Sequence, residues 1–417
     1  MRLLVTSAFL PWPADNGYKM RTLSVLRGLA SLGHEVTLLA FASPEEAARD
    51  RRPLEQWCRR VEVVPMALAS LTTAGSYLAR MGGLLSGLPF STRRFRSTEM
   101  ERRIRDWLGS TSGDAVIADG LFSLINVPPT RVPVLLNAHN VEHVILERYA
   151  RRQRSPLKSL YARLEARKLR AFERAACRRA VVVMACSEVD RRHLARLGPG
   201  APAVVVPNVV DLDRYAAVPA SDEHIVLFQG GLDWYPNRDA VAFFVSEILP
   251  RVQRGWPAAR FVVAGRNPSE AFRRRWTRPG GIEFTGTVDD MRPVIARAAL
   301  CVVPLRIGSG TRLKILEAAA MERPVVSTWL GAEGLGFVEG EEIVLVDDPR
   351  PFAEAVVRLL AEPERRLALG RAARRRVEQD YSMRVLRRSL RRALEGVTLA
   401  ARARDSRPAI RLEAVAP

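Results

Sequence analysis

The sequence contains few cysteines and histidines, and this shortage limits the chemistry it can support. Only four cysteines and five histidines occur in 417 residues. No CxxC pair is present among Cys58, Cys177, Cys186 and Cys301, and three of the four lie in apolar or helical runs. Such spacing argues against a disulfide framework or a zinc site, so we expect reduced internal thiols in a cytosolic protein.

Long hydrophobic runs are also absent. No stretch reaches the roughly 18 apolar residues that a membrane-spanning helix requires. The first segment, MRLLVTSAFLPWPADNG, begins with an apolar run that is too short for a signal peptide and has no small-residue cleavage site. We therefore expect RLLVTSAF to be a buried first strand.

Acidic residues are scarce relative to basic ones. Asp and Glu total 45 and Lys and Arg total 65, which gives a net charge of +20. This charge predicts attraction to anions such as nucleotides, phospholipid head groups or nucleic acid. A general bias towards arginine would produce the same charge without any partner. Because no nucleic-acid motif or interleaved aromatic residues are present, we do not expect nucleic acid as a partner.

Short apolar runs alternate with helical patterns along both halves of the chain. Continuous apolar strands separated by helices indicate parallel sheets covered on both faces. The boundary between the halves is expected near PNVVDLDRYAAVPASDE, where the periodic pattern stops. The first-half strands are RLLVTSAF, HEVTLLAFA, VEVVPM, DAVIAD, VPVLLNAH, AVVVMAC and AVVVPN, and the second-half strands are HIVLFQG, ARFVVAG, IEFTG, ALCVVPL, PVVST and EIVLV.

Two arginine-rich segments have helical spacing. They span residues 93–108 and 154–180. One interpretation is a pair of domain helices with solvated basic faces, and the other is contact with an anionic membrane surface. The second interpretation predicts a cytoplasmic protein that associates peripherally with the inner face of the cell membrane. An apolar stripe runs along the second segment: Leu157, Leu160, Tyr161, Leu164, Lys168, Leu169 and Phe172.

The stretch RIGSGTRLKILEAAAMERPVV, residues 306–326, joins a loop, a helix and a strand. It follows ALCVVPL, so it begins at the carboxyl end of a strand, where open α/β sheets bind ligands. Thr311 is expected to cap the helix, and Lys314 to lie in its first turn. Free backbone N–H groups and the positive end of the helix favour phosphate at this place.

The residue types of this stretch suit a nucleoside diphosphate. Gly308 and Gly310 would let the backbone approach an anion closely. A carboxylate near a diphosphate is better used to accept hydrogen bonds from sugar hydroxyls, so Glu317 suits a ribose. The alternative is a glycine-rich loop before an amphipathic helix, with Glu317 solvated. The charges that would face phosphate are Arg306, Arg312 and Lys314.

The longer stretch PLRIGSGTRLKILEAAAMERPVVSTWLGAEGL resembles the nucleotide-sugar site of retaining glycosyltransferases of family 4. The segments PADNGYKMRTLSVLRGLASLGHEVTLLA, NAHNVEH, VPNVVDLDRY and FQGGLDWYPNRDAV are similar to other parts of that family. The resemblance extends over roughly residues 1–395. Two of its segments also resemble the branch associated with bacterial exopolysaccharide and exosortase loci.

The resemblance implies the GT-B fold, in which two Rossmann-like domains with parallel sheets face each other across a cleft. It implies transfer of a sugar from a nucleotide-sugar donor to a glycan or lipid-linked acceptor, with retention of configuration, in bacterial polysaccharide or cell-surface glycan synthesis. No cofactor or metal is implied. The expected parts are an acceptor-binding domain at 1–212, a donor-binding domain at 213–380, a helix at 381–396 packing back on the first domain, and a disordered tail at 397–417.

Roles for individual residues follow from the same resemblance. Glu317 would hold the donor ribose, and the loop after IEFTG would face the base. The residues assigned to donor or nucleotide binding are Gly17, Gly230, Gly231, Gly286, Thr287, Val288, Gly308, Ser309, Gly310, Thr311, Arg312 and Glu317. Asn140 and Glu142 are assigned to the acceptor, and the residues assigned to catalysis are His139, Arg306 and Lys314.

His139 lies in NAHN, directly after the strand VPVLL. It resembles the histidine that the family places near the donor sugar and the acceptor, where it could bond a sugar hydroxyl or position the acceptor. In a front-face route the leaving diphosphate takes the acceptor proton, which fits the lack of an obvious glycosidase-type carboxylate pair.

Two departures from the family pattern are visible. The family has a glutamate eight positions before Glu317, where this chain has Ser309, and its diphosphate-binding Arg and Lys fall near Gly231 and Asn237. We hypothesise that Arg306, Arg312 or Lys314 supplies the missing phosphate-binding charge. The departures also leave open a non-catalytic GT-B relative that binds nucleotide, glycan or a partner protein.

Two further alternatives and one motif complete the sequence-based predictions. A sugar epimerase would need no acceptor, and a phosphorylase of this fold would show a pyridoxal lysine motif, which the sequence lacks. DLD at Asp211–Asp213 is a literal DxD motif, but it lies between the halves and is expected to be a turn, so no metal site is predicted.

Overall fold

The computed structural model describes residues 1–66, 83, 86–110, 113–266, 269–276 and 282–402, without the side chains of 399–402. The chain divides into two compact units. Unit 1 comprises Met1–Pro207 together with the chain from Leu386 onward, and unit 2 comprises Asn208–Val385. The division after Pro207 falls within the segment where the sequence loses its periodicity, five residues before the predicted boundary at 212.

Unit 1 contains a seven-stranded parallel sheet with the strand order β3-β2-β1-β4-β5-β6-β7. Its strands are β1 (Arg2–Ser7), β2 (Glu35–Ala42), β3 (Arg60–Pro65), β4 (Ala115–Asp119), β5 (Val134–Asn137), β6 (Val182–Ala185) and β7 (Ala203–Val205). Every residue of β4, β5 and β6 is buried. Their sequences are accordingly apolar without alternation, because both faces of a parallel sheet are covered.

The helices of unit 1 connect these strands. They are α1 (Gly17–Ser31), α2 (Pro44–Ala47), α3 (Arg52–Glu55), α4 (Phe90–Arg93), α5 (Thr98–Ser110), α6 (Leu121–Leu124), α7 (Glu142–Arg152), α8 (Pro156–Arg179) and α9 (Glu188–Leu197), followed by α17 (Met383–Arg402) at the end of the chain. Gly33 follows α1 with φ +77°, the left-handed conformation that the predicted helix end requires.

Unit 2 contains a six-stranded parallel sheet with the order β10-β9-β8-β11-β12-β13. Its strands are β8 (Ile225–Gln229), β9 (Arg260–Ala264), β10 (Ile282–Gly286), β11 (Leu300–Val303), β12 (Val325–Ser327) and β13 (Val344–Leu345). Its helices are α10 (Tyr235–Phe243), a π-helical turn (Phe244–Ile248), α11 (Leu249–Gly255), α12 (Glu270–Trp276), α13 (Arg292–Arg297), α14 (Leu313–Ala320), α15 (Pro349–Ala361) and α16 (Pro363–Asp380). The prediction of two Rossmann-like α/β halves with parallel sheets is confirmed.

The end of the chain differs from its prediction. Helix α17 runs to Arg402, so 397–402 are helical rather than disordered, while 403–417 lie outside the described residues. The helix packs on unit 1 through two glycines. A Cβ at Gly28 of α1 would lie 2.6 Å from Leu390 Cδ1, and one at Gly396 would lie 2.5 Å from Val182 Cγ2. These glycines allow backbones to approach closely.

The two arginine-rich segments fold differently from one another. The first begins with α4, which ends at Arg93, and continues as α5 from Thr98. The second is the continuous helix α8, but its apolar stripe divides along its length. Leu169 and Phe172 are buried at 2% and 3% exposure, whereas Leu157 is 80% exposed.

The four cysteines are free and buried, as predicted from their spacing. In the part of the chain that the structure describes, no helix combines the length and apolarity needed to cross a bilayer.

Candidate active site

The loop between β11 and α14 contains two glycines in backbone conformations that other residues rarely adopt. Gly308 has φ +155° and Gly310 has φ +72°, and a Cβ at Gly308 would lie 2.4 Å from the Arg312 guanidinium. The predicted cap at Thr311 is wrong, because Arg312 occupies the N-cap position without a side-chain cap bond. Thr311 Oγ1 instead accepts a hydrogen bond of 2.8 Å from Asn208 Nδ2. Lys314 lies in the first helical turn, as predicted.

The two arginines predicted to bind phosphate both form hydrogen bonds with other groups of the protein. Arg306 forms a two-pronged ion pair with Asp239, at 3.0 Å and 2.8 Å, and lies over the Phe243 ring at 4.2 Å. Arg312 Nη1 donates to the carbonyls of Ser309 and Gly310, at 2.5 Å and 2.6 Å. These contacts hold the loop, so a phosphate role for either arginine requires exchange of an existing partner.

Lys314 is placed differently. Its Nζ donates a 3.1 Å hydrogen bond to Asn237 Oδ1 and lies 4.2 Å from the centroid of the Phe228 ring. Burial lowers the pKa of Lys314 to about 7, the charge of Arg312 adds to this, and the charge of Glu317 opposes it. At neutral pH this ammonium is therefore only partly charged, and an anion bound beside it would favour the charged form.

Glu317 lies one turn after Lys314 on α14 and is buried. Its Oε1 accepts a 2.7 Å hydrogen bond from the Tyr215 hydroxyl, and its Oε2 accepts a 3.2 Å bond from Gln229 Nε2. Burial raises the pKa of this carboxyl, against the Tyr215 bond and the Lys314 charge. The alternative of a solvated Glu317 is excluded, and each oxygen keeps a lone pair for a further donor.

Three glycines lie at the carboxyl ends of three neighbouring strands of unit 2. Gly230, Gly265 and Gly286 follow or end β8, β9 and β10, and all three have positive φ. A Cβ at Gly230 would lie 2.8 Å from Lys314 Nζ. Thr287 and Val288 continue from Gly286 as predicted for the loop after IEFTG, and Ser309 is buried in the β11–α14 loop.

Unit 1 contains a buried carboxylate that sequence reasoning missed. Asp119 ends β4, and its two oxygens accept four side-chain hydrogen bonds. The donors are Asn137 Nδ2 at 2.7 Å, His139 Nε2 at 2.7 Å, Ser7 Oγ at 3.0 Å and Thr22 Oγ1 at 2.6 Å. Burial opposes ionisation of Asp119, but the charge of His139 and the hydrogen bonds from His139, Thr22 and Asn137 hold the pKa of Asp119 below its usual range.

His139 is fixed by this arrangement. An ionised carboxylate only accepts hydrogen bonds, so the proton of the Asp119–His139 contact is on Nε2. The imidazole also stacks on the Tyr18 ring at 3.9 Å with an interplanar angle of 10°. The Asp119 carboxylate and the stacked Tyr18 ring fix the orientation of the imidazole, so His139 is held for a positioning role.

The predicted acceptor residues follow His139 directly. Asn140 Nδ2 donates a 3.0 Å hydrogen bond to Glu142 Oε1. Burial raises the pKa of Glu142 to about 7, the Asn140 bond opposes this, and the charge of Glu173 adds to it. Glu173 in turn accepts from the Glu142 backbone at 3.0 Å and contacts His143 Nδ1 at 2.5 Å.

Helix α1 approaches the same edge of the unit 1 sheet. Gly17 is its first residue, after the cap Asn16, and Lys19 is buried in an ion pair of 2.7 Å with Glu46. Arg21 donates two hydrogen bonds to Asn137 Oδ1, at 3.2 Å and 2.7 Å. These two bonds fix the side chain of Asn137, whose amide nitrogen donates to Asp119.

Metal binding finds no support in the described ranges, where no group of three His, Cys, Asp or Glu side chains could hold an ion. The predicted turn at DLD is confirmed, since Asp211 Oδ1 accepts from the backbone of Asp213 at 3.2 Å and of Arg214 at 3.3 Å. A carboxylate that accepts the backbone N–H groups two and three residues further along the chain stabilises a turn.

Two family models match the chain in succession. Residues 16–214 match "Glycosyltransferase Family 4", and residues 223–362 match "Glycosyl transferases group 1". A protein in the cps region of Klebsiella pneumoniae is 23% identical over 85% of this chain and 90% of its own length. The phosphatidyl-myo-inositol mannosyltransferase of Mycolicibacterium smegmatis is 25% identical over 88% of this chain and 87% of its own length.

Solved structures share the fold at low sequence identity. The sucrose-phosphate synthase of Thermosynechococcus elongatus superposes with a TM-score of 0.70 and 16% identity, over 96% of this chain and all of that one. The Anabaena protein HepE in complex with UDP-glucose gives 0.64 and 14%, over 94% of this chain and 99% of its own.

Proposed function

Because the chain belongs to the family 4 glycosyltransferases with the GT-B fold, we propose that it transfers a sugar from a nucleoside diphosphate sugar to a glycan or lipid-linked acceptor, with retention of configuration. The observation that carries this proposal is the placement of Lys314 and the buried Glu317 one turn apart on α14, at the carboxyl end of β11. A cation and a carboxylate one turn apart suit a diphosphate and a ribose.

The chemistry required of the protein is mainly electrostatic. The bond from the sugar C1 to the diphosphate oxygen breaks with its electron pair on the diphosphate, and C1 bonds the acceptor hydroxyl oxygen on the same face. The hydroxyl proton passes to the leaving diphosphate oxygen. Lys314 and the amino end of α14 stabilise the charge that develops there. His139, fixed by Asp119, holds a sugar hydroxyl in unit 1.

The relatives support a cell-surface pathway and a lipid-linked acceptor as proposals. One relative is described as lying in a cps region, and another is a phosphatidyl-myo-inositol mannosyltransferase. HepE has been crystallised with UDP-glucose, which makes UDP-glucose the first donor to test.

The proposed transfer is tested by incubating the protein with UDP-, GDP-, ADP- and dTDP-sugars and a panel of lipid-linked glycans. We expect one donor to give a glycosylated product whose anomeric coupling in NMR matches the donor. An inverted product would contradict retention. Nucleotide binding without turnover on any acceptor would favour the non-catalytic relative.

We also propose that α8 binds the surface of an anionic membrane, so that the protein associates peripherally with the inner face of the cell membrane. Leu157, Leu160 and Leu164 are 80%, 56% and 36% exposed and share one helix face. Exposed Arg163 and Arg167 flank that face. Apolar side chains bordered by cations suit a phospholipid interface.

Vesicle flotation tests this membrane proposal. Serine at positions 157, 160 and 164 is expected to reduce recovery with anionic vesicles severalfold, because interfacial binding scales with the apolar area inserted. Val338→Ser is the control, since Val338 is 41% exposed but lies in unit 2. Equal recovery with neutral and anionic vesicles would contradict an electrostatic contribution.

A further inference from the structure

The proposed donor site needs more positive charge than Lys314 supplies. A nucleoside diphosphate carries several negative charges, and Lys314 is only partly charged at neutral pH before binding. Arg306 is paired with Asp239, and Arg312 is bonded to the carbonyls of its own loop. A second cation that can change partners at low cost would complete the site.

Arg266 lies at the end of β9, next to β8 in the sheet. Its Nε is 3.8 Å from where a Cβ of Gly231 would lie. Its carbonyl accepts a 2.9 Å hydrogen bond from the backbone of Leu232, which fixes the start of the side chain against the β8–α10 loop. The guanidinium pairs with Asp233 at 3.4 Å, and the Arg266 side chain is 32% exposed.

The Arg266–Asp233 pair is easily exchanged. Asp233 is 57% exposed and the pair is longer than the two-pronged bonds of Arg306, so solvent screens it. A guanidinium presents a fork of N–H donors that matches two phosphate oxygens, and phosphate oxygens carry more charge than one exposed carboxylate.

The backbone around Arg266 is shaped for close approach. A Cβ at Gly265 would lie 2.4 Å from the carbonyl oxygen of Gly230, and a Cβ at Gly230 would lie 2.8 Å from Lys314 Nζ. Both glycines have φ near +150°. No side chain can therefore occupy the space between the ends of β8 and β9. Arg266 and Lys314 lie beside this stretch of glycine backbone.

We propose that Arg266 is the second diphosphate-binding cation of the donor site, acting with Lys314, and that Asp233 holds it until the donor binds. This rests on the proposed function. It also accounts for the two missing cations of the family pattern. The family's arginine would fall near Gly231, which lies against Arg266, and its lysine near Asn237, which accepts the hydrogen bond of Lys314. The charge is supplied by neighbouring strands instead.

The test is calorimetric titration of wild type, Arg266→Gln and Arg260→Gln with UDP, GDP, ADP and dTDP and the matching monophosphates. Arg260 begins the same strand at the opposite sheet edge and pairs with Glu283, so it controls for the loss of one arginine. We expect Arg266→Gln to weaken diphosphate binding about tenfold or more. The loss should be smaller for the monophosphate, and Arg260→Gln should match wild type.

Two more variants separate charge from shape. Arg266→Lys should recover part of the affinity, and Asp233→Asn should bind the diphosphate severalfold more tightly because Arg266 no longer has to leave a carboxylate. Equal diphosphate affinity in Arg266→Gln and wild type would overturn the inference while leaving the proposed function intact. Failure of wild type to bind any of the four diphosphates would contradict the proposed function itself, and the inference with it.

Discussion

Replacing Glu317 by alanine is expected to weaken nucleoside diphosphate binding by about 10- to 100-fold, the range of a hydrogen bond to a charged group. Glu317 is buried beside Lys314, and its oxygens face Tyr215 and Gln229. A ribose would add its hydroxyl donors to the same carboxylate. The measurement is the thermal shift produced by UDP, GDP, ADP and dTDP on wild type and variant, since a ligand stabilises by its affinity and concentration.

Two companion variants distinguish ribose binding from a loss of local structure. Glu317→Gln keeps the shape and one acceptor oxygen, so its affinity should lie between those of wild type and Glu317→Ala. Tyr215→Phe removes the 2.7 Å bond to Glu317 but leaves the carboxylate in place. It should lower the melting temperature of the free protein and largely preserve the nucleotide shift. Wild-type nucleotide shifts in Glu317→Ala would exclude the ribose role.

Asp119→Asn is expected to slow sugar transfer by about 10²-fold, the usual cost of misplacing a positioning group, while nucleotide binding stays unchanged. Asparagine has the same shape. Its oxygen can accept from Asn137 and His139, and its amide can donate to the hydroxyls of Ser7 and Thr22, so the variant should fold. It replaces the charged acceptor of the His139 Nε2 hydrogen bond by a neutral one, which weakens the bond that orients the ring.

The measurement for Asp119→Asn is kcat, read alongside the melting temperature and KM for the donor, since a loss of positioning lowers kcat without changing donor binding. Asp190→Asn is the matched control. Asp190 is another buried carboxylate of unit 1, bonded to the Ser187 hydroxyl at 2.5 Å. Equal rates for Asp119→Asn and Asp190→Asn would exclude the positioning role of Asp119.

The parallel-sheet architecture could be predicted because its signal is local. Each strand is a short apolar run, as expected where both faces of a parallel strand are covered. The runs VVMA and LCVV are examples, and both are strands in the structure. The local structure of the proposed donor site could be predicted for the same reason. A loop at the carboxyl end of β11 and a helix that begins one residue before Lys314 place Lys314 and Glu317 one turn apart.

The helix α8 shows where such reasoning ends. Its seven-residue apolar stripe has one periodicity, yet Phe172 is buried and Leu157 is 80% exposed. Periodicity fixes which residues share a face, but it does not determine where along the helix that face meets the rest of the unit. Thr311 failed as a predicted cap for a related reason. Threonine favours the N-cap position, but its hydroxyl is taken by Asn208, 103 residues earlier in the chain.

The fold class, the two halves and the glycine-rich loop of the proposed donor site could be predicted from the sequence alone, because these depend on neighbours within a few residues. Which of those residues already form ion pairs or hydrogen bonds within the protein became visible in the folded structure. Asp239 holds Arg306 across 67 positions, Asp119 holds His139 across 20, and Arg266 meets Gly231 at adjacent strand ends. Long-range partners are set by strand order and packing. Two arginines therefore cannot be distinguished in the sequence, even when one forms an ion pair that holds a loop and the other is proposed to bind a ligand.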